Sequence, residues 1–176
     1  MKTLALIAFA LIQLLLMSGC GKPSNELLTH EVNNPLVEGG RWSTLHEAVH
    51  KGNKIRVLEL LGKGLDVNVR SAAKNDYGLT PLFLACQKGD LDLAQMLLDR
   101  GADVNLGKTT GSSPLHISVE NGHRALVELL LARGTLTEVE SLFVKKPLEI
   151  AREKGLKDIA ELLESAIKSK AEKAKP

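Results

Sequence analysis

Two hydrophobic patterns share this chain, one continuous and one periodic. The continuous run covers Leu4 to Met17 and is apolar except for Gln13. Its fourteen residues are too few for a membrane-spanning helix, which needs about 20, and fit the apolar core of a secretory signal behind the basic start Met1-Lys2. The periodic pattern begins near residue 42. Ser43-Thr44-Leu45-His46-Glu47-Ala48 returns as Thr80-Pro81-Leu82-Phe83-Leu84-Ala85, as Ser113-Pro114-Leu115-His116-Ile117-Ser118 and as Lys146-Pro147-Leu148-Glu149-Ile150-Ala151. The shared leucines are spaced 37, 33 and 33 residues apart, and seven residues after each comes a glycine: Gly52, Gly89, Gly122 and Gly155. A second apolar-periodic run follows each glycine, as in Leu91 to Leu98 or Ala125 to Leu131, so every unit predicts two short helices. Two of these runs end in closely similar words, Gly64-Leu65-Asp66-Val67-Asn68 and Gly101-Ala102-Asp103-Val104-Asn105.

A 33-residue period carrying Thr-Pro-Leu-His-x-Ala resembles the ankyrin repeat. The resemblance implies an all-α solenoid of about four helix-turn-helix units with hairpin-like turns, near residues 42–68, 76–105, 109–138 and 142–168 of a domain at 42–168. Each letter has a physical use. Ser or Thr caps the first helix, and proline fits its first turn, where no donor is lost. The leucine points into the stack, and small residues such as Ala48, Ala85 and Ser118 let paired helices approach. The glycines end each helix at a left-handed corner. One unit cannot bury its apolar face alone, so neighbours must stack. The first unit has Thr44 for proline and Arg41 for the turn glycine, as an N-terminal cap would. The fourth lacks the Thr, the His and the Gly-Ala-Asp ending, and its last helix carries Lys157, Asp158, Glu161, Glu164, Lys168 and Lys170, which suits a solvent-facing C-terminal cap. The lysine-rich tail at 169–176 is expected to fray.

The leader ends in Met17-Ser18-Gly19-Cys20, two small residues before a cysteine at the junction of apolar core and polar chain. This resembles the lipobox of bacterial lipoproteins, with Met17 where that family prefers Leu. The resemblance implies removal of residues 1–19 and lipid on the sulfur and new amino group of Cys20, a firm tether at about 0.8 kcal/mol per buried CH₂. An ordinary cleaved signal is the alternative. Gly21, where Asp would be the familiar inner-membrane retention signal, favours the outer membrane. Residues 20–41, rich in Gly, Pro, Ser and Asn, form a linker, with a flexible reach of about 25 Å; Leu27, Leu28, Leu36 and Val37 are candidates to pack part of it onto the first repeat.

Composition sharpens the function class. Removing Lys2 from the 23 Lys+Arg leaves 22 against 21 Asp+Glu, a near-neutral chain without the basic face a nucleic-acid partner needs. With Cys20 lipidated, Cys86 is the remaining thiol and no internal disulfide forms. Cys86 aligns with Val49 and Val119, which makes it a buried, inert side chain rather than a nucleophile. His46 and His116 occupy the motif histidine position, which in the family hydrogen-bonds the neighbouring turn. Phe83 and Glu149 replace it in the other units, so no histidine row exists for a metal. His123 has surface or structural duty, and His30 lies in the linker. No elbow serine, His-Glu-x-x-His or phosphate loop appears. Neither catalysis, a cofactor nor a metal is expected.

In the ankyrin family, partners are held on turn tips and on the exposed side of each first helix. Those positions are six, five and three residues before the motif leucine, and five and six after it. Carried over, they are Trp42, His50 and Lys51 in the first unit, and Asp76, Tyr77, Leu79, Gln87 and Lys88 in the second. The third supplies Thr109, Thr110, Ser112, Glu120 and Asn121, the fourth Leu142, Phe143, Lys145, Glu153 and Lys154. Three of the four aromatic residues after the leader (Trp42, Tyr77 and Phe143, but not Phe83) fall on these positions, and aromatics are enriched at binding hot spots. Trp42 and Phe143 could equally cover the open ends of the stack. The four extra residues of the 37-residue spacing are assigned to Arg70–Asn75, where they could extend a turn tip toward a ligand or form a loop with no role. The expected function is that of a monomeric, membrane-tethered envelope lipoprotein binding a periplasmic protein. A toxin-neutralising immunity protein is the alternative, then a purely structural envelope component.

Overall fold

The computed structural model describes residues 43–72, 78–137 and 144–173. All of them belong to the unit Val32–Pro176. Among the described residues eight helices run in pairs: α1 Thr44–His50 and α2 Lys54–Gly62, α3 Pro81–Lys88 and α4 Leu91–Asp99, α5 Pro114–Glu120 and α6 Arg124–Ala132, α7 Pro147–Glu153 and α8 Lys157–Lys173. The architecture is the expected all-α solenoid. First helices pack on first helices along the stack, α1 on α3, α3 on α5, α5 on α7.

Helix starts follow from the side chains before them. Ser43, Thr80 and Ser113 accept from the backbone N–H of His46 (3.4 Å), Phe83 (3.2 Å) and His116 (3.4 Å), each satisfying one orphan donor. Pro81, Pro114 and Pro147 stand in the first turn of their helices. In the fourth unit Lys146 replaces the capping hydroxyl, and Glu149 accepts from the Lys146 N–H at 3.2 Å. Helix ends are equally regular. Gly52, Gly89, Gly122 and Gly155 have φ between +67° and +76°, the left-handed corner that Cβ disfavours. In each unit the next residue's N–H then returns to the first helix: Asn53 to Ala48 O, Asp90 to Ala85 O, His123 to Ser118 O and Leu156 to Ala151 O, at 2.8–3.1 Å, closing the helix in a Schellman-type bond.

The core runs through all four units. Leu45, Leu82 and Leu115 are buried, as are Val57 and Leu60, Leu93 and Leu97, Leu126 and Leu130, and Ile159 and Leu163 from the second helices. Burial thins at the last unit, where Leu148 and Ile150 are half-buried. The six charged residues of α8 expected to face solvent, Lys157, Asp158, Glu161, Glu164, Lys168 and Lys170, are all exposed. The expected fraying from Ser169 is corrected: α8 stays helical to Lys173, and the Lys170 ammonium donates to the Thr135 carbonyl of the preceding unit. That contact gives the last turns a partner and a cation near the helix C-terminus.

The two motif histidines differ. His46 accepts from the Ser43 hydroxyl at Nδ1 (2.8 Å) and donates from Nε2 to the Leu79 carbonyl of the next turn (2.9 Å), since a carbonyl only accepts. His116 likewise accepts at Nδ1 from the Ser113 N–H (3.1 Å) and pairs with the Ser113 hydroxyl (2.7 Å). Its Nε2 is buried and has no partner among the described residues. Burial holds the His116 ring below its ordinary value of 6.5. The folded state therefore takes up a proton less readily than the unfolded chain, and stability drains away as pH falls below 6.5 toward the folded value. The denaturation midpoint is expected to fall between pH 7.5 and pH 5.5, and to fall less in His116→Gln. Equal pH sensitivity in the two proteins would remove His116 from the account.

Candidate partner-binding face

The C-terminal ends of the first helices form a row. His50 and Lys51, Gln87 and Lys88, Glu120 and Asn121, and Glu153 and Lys154 are all exposed. The row is cross-tied: Lys88 Nζ donates to the His50 carbonyl, Asn121 Nδ2 to Gln87 O at 3.0 Å, and Lys154 Nζ to Glu120 O at 2.8 Å. These carbonyls lie in the last turn of a helix and lack an intrahelical donor, so a side chain from the next unit supplies one. Lys88, Asn121 and Lys154 thus register neighbouring units as well as facing outward. Lys51 pairs with Glu47 in its own helix. The row mixes signs, with Lys51, Lys88 and Lys154 against Glu120 and Glu153. It fits a mixed polar protein surface rather than a polyanion.

Turn tips complete the face where they are described. The Ser112 carbonyl accepts from the Lys108 N–H at 2.8 Å, and Gly111 N–H returns to Lys108 O at 3.0 Å. Thr109 is exposed, while Thr110 and Ser112 are half-buried. In the fourth unit Lys145 is exposed and pairs with Glu153 at 2.6 Å. Trp42, Asp76, Tyr77, Leu142 and Phe143 lie outside the described residues, as do the lipidation candidate Cys20, the leader and the linker.

Leu79 is a correction. It was expected on the open face, yet it is 6 % exposed. Its N–H donates to Ser71 Oγ (3.0 Å), and its carbonyl accepts from both Ser71 N–H (2.8 Å) and His46 Nε2 (2.9 Å). A residue held on both sides by its backbone turns its apolar side chain inward. The same bonds place the insertion. Ser71 N–H to Leu79 O matches Lys108 N–H to Ser112 O, so Arg70 and Ser71 belong to the regular frame. The four extra residues therefore fall between Ser71 and Leu79, a stretch of which 73–77 lie outside the described residues.

Sequence reasoning missed a second set of ties. Asn68 Oδ1 accepts from the Asp103 N–H (2.8 Å) and Asn68 Nδ2 donates to Gly101 O (3.3 Å). One unit on, Asn105 Oδ1 accepts from Leu136 N–H (2.8 Å) and Thr135 Oγ1 (3.1 Å). The signal was present in the repeated Asp-Val-Asn words: each asparagine N–H donates to the aspartate of its own word, at 2.9 and 2.8 Å, and leaves the amide side chain for the next unit. These ties, with the Lys88, Asn121 and Lys154 bonds, hold the face to one curvature.

Cys86 is fully buried, and burial pushes its thiol up to about 12, so the thiolate needed for nucleophilic chemistry is not populated near neutrality. Phe83, at the motif histidine position, is buried under the Lys108 ammonium, 5.1 Å from the ring centroid. Among the described residues no group of three or more His, Cys, Asp or Glu could hold a metal, and no helix is long and apolar enough to cross a membrane.

Comparison with known proteins agrees with this geometry. The family model described as ankyrin repeats in three copies matches residues 7–108, and the single ankyrin-repeat model matches residues 110–140. Mouse 2-5A-dependent ribonuclease is 43 % identical over 70 residues, covering 40 % of this chain and 9 % of that protein. A putative ankyrin repeat protein of fowlpox virus is 42 % identical over 64 residues, covering 36 % of this chain and 14 % of its own. Human protein phosphatase 1 regulatory subunit 27 is 37 % identical over 75 residues, covering 43 % of this chain and 46 % of that subunit. The chain therefore spans less than half of each of these relatives, and the likeness to each is a likeness of repeats. With hydroxyl caps and buried motif leucines in three units, corner glycines in all four, and a family model matching more than half its length, the chain belongs to the ankyrin-repeat family.

Proposed function

We propose that this chain is a lipid-tethered ankyrin-repeat protein of the bacterial envelope that binds a periplasmic protein, on its outer membrane. Ankyrin repeats imply a role in protein–protein interaction, and the observation that carries the binding reading is the exposed, cross-tied row from His50 to Lys154. Its carbonyls are satisfied from neighbouring units, so the row needs no reordering when a partner arrives, and little side-chain entropy is lost on docking. The tether rests on the leader: a short apolar run ending at Met17-Ser18-Gly19-Cys20. Tyr77, on the insertion-bearing turn, and Trp42, beside the first unit, are the aromatic anchors of the proposed contact.

Two measurements test the halves of this reading separately. Cys20→Ala is expected to abolish acyl labelling and to move the protein from the membrane to the soluble fraction; unchanged labelling would sink the tether. Trp42→Ala and Tyr77→Ala, each truncating a hot-spot candidate worth about 2 kcal/mol, are expected to weaken capture of the partner from envelope extract roughly 30-fold without changing the denaturation midpoint. Normal capture by both variants would show the contact to be misplaced.

A further inference from the structure

Bonds between neighbouring units change in kind along the stack. At the first junction buried His46 donates to the Leu79 carbonyl, and Asn68 exchanges two bonds with Gly101 and Asp103. At the second, the buried Thr80 hydroxyl donates to the Leu106 carbonyl at 3.1 Å, and Asn105 accepts from Leu136 and Thr135. These side chains are short and half or fully buried, so little rotamer freedom is lost in holding them. At the third junction the described polar bonds are Lys154 to the Glu120 carbonyl at 2.8 Å, Lys170 to the Thr135 carbonyl, and Arg124 with Asp158 at 3.6 Å. All three cations sit on long, exposed side chains, whose ties gain little against water and rotamer entropy.

The fourth unit itself explains the change. His116 stands where His46 does, yet its buried Nε2 has no partner among the described residues. The second helices of the first three units stop at the left-handed glycines Gly64, Gly101 and Gly134. Two residues beyond Gly101 and Gly134 the N–H of Asp103 or Leu136 is open to the preceding unit's asparagine. Helix α8 runs through that point. Ser169 occupies the matching place inside it, where N–H groups are spent on carbonyls four residues back. The third unit ends Gly134-Thr135-Leu136-Thr137-Glu138, with Glu138 in the asparagine's place. Apolar burial thins in parallel: Leu45, Leu82 and Leu115 are buried, whereas Leu148 and Ile150 are half-buried.

We infer that α7 and α8 undock together from α5 and α6, and that this is the first cooperative opening of the stack. An end unit of a repeat stack is held by one interface, so the two ends differ only by what their single junctions contain. The first junction has the buried histidine and asparagine bonds and the third does not. The docked arrangement is the ground state, and opening is a rare excursion from it. While it lasts, Glu153 and Lys154 leave the row of first-helix ends, and the α5–α6 surface beneath them is uncovered. A partner that touches all four units binds only the docked stack and holds it closed. That consequence rests on the binding role proposed above; the opening does not.

Native-state hydrogen exchange of the full chain in mild detergent tests the opening with no partner present. Ala151 of α7 and Leu163 of α8 are both buried. Their amides are expected to exchange through one shared opening, with the same dependence on dilute urea. After correction for intrinsic rates, both are expected to exchange about tenfold or more faster than buried Ala48 and Leu60 of the first unit. Lys170→Met keeps the apolar stem and removes the donor to Thr135. It is expected to speed Ala151 and Leu163 by about threefold or more and to leave Leu97 of α4 unchanged. Lys168→Met, at another exposed lysine of α8, is the control and leaves all three as they were. Equal protection at the two ends, slower exchange at Ala151 and Leu163, or different urea dependences for those two amides overturns the proposal. So does a Lys170→Met protein that behaves as Lys168→Met does.

Discussion

Leu115→Ala is expected to lower the stability of the stack by about 2–5 kcal/mol. Leu115 is fully buried in α5, the first helix packed by α3 on one side and α7 on the other. Removing its isopropyl group takes apolar contact from two interfaces at once, and repeat stacks owe their stability to such nearest-neighbour terms. Collapse around the cavity is limited, because Schellman-type bonds and asparagine ties fix the helices on both sides. Urea denaturation followed by circular dichroism checks the figure, with Leu136→Ala as control. Leu136 is 55 % exposed, and its truncation is expected to cost under about 0.5 kcal/mol. Similar midpoints for the two variants would contradict a core centred on the motif leucines.

Gly107→Ala is the second large effect. An added Cβ would lie 1.9 Å from Ser112 O and 2.6 Å from Ser113 Cα. Both are backbone atoms of the short turn closed by Lys108 N–H to Ser112 O, so no side chain can swing aside. Ser113 is the N-cap of α5, and any shift that relieves the clash pulls the cap from the His116 N–H. The expected loss is about 1–3 kcal/mol, with faster hydrogen exchange at the Lys108 amide marking the opened turn. Arg70 occupies the matching place in the preceding turn. There the Arg70 side chain is exposed and its Nη1 donates to the Gly78 carbonyl at 3.4 Å. An unchanged Lys108 exchange rate in Gly107→Ala would mean that the turn is not closed as described.

Most of the fold was legible because its determinants are local. A hydroxyl before Pro-Leu, a leucine, and a glycine seven residues on specify cap, core and corner within one unit, and each appeared where its chemistry requires. What escaped the sequence depends on contacts between units. Leu79 looks like a tip residue by count, and only the Ser71 and His46 bonds turn it inward. Spacing places the four extra residues of the insertion within 70–75, but the Ser71 N–H to Leu79 O bond that bounds them is not legible in it. Ser169 to Lys173 look like a frayed lysine tail until Thr135 of another unit supplies an acceptor for Lys170. The asparagines of the Asp-Val-Asn words act 30 to 35 residues away. On the candidate face, the family's contact positions point to the first-helix ends, which are exposed, but the doubling of Lys88, Asn121 and Lys154 as ties was not legible. Phe83 left the aromatic set for the core by standing at the histidine position.

The central claim is that the stack binds a protein through its first-helix face and not through its second-helix back. Site-specific photo-crosslinking in living cells addresses this directly, with the reactive side chain placed at Gln87 or Glu120 on the face and at Glu128 on the back; all three are exposed. The expected result is a discrete adduct from Gln87 and Glu120, absent from Glu128 and lost when Tyr77 is also changed to Ala. Adducts from Glu128 alone, or equal adducts from all three positions, would contradict the account.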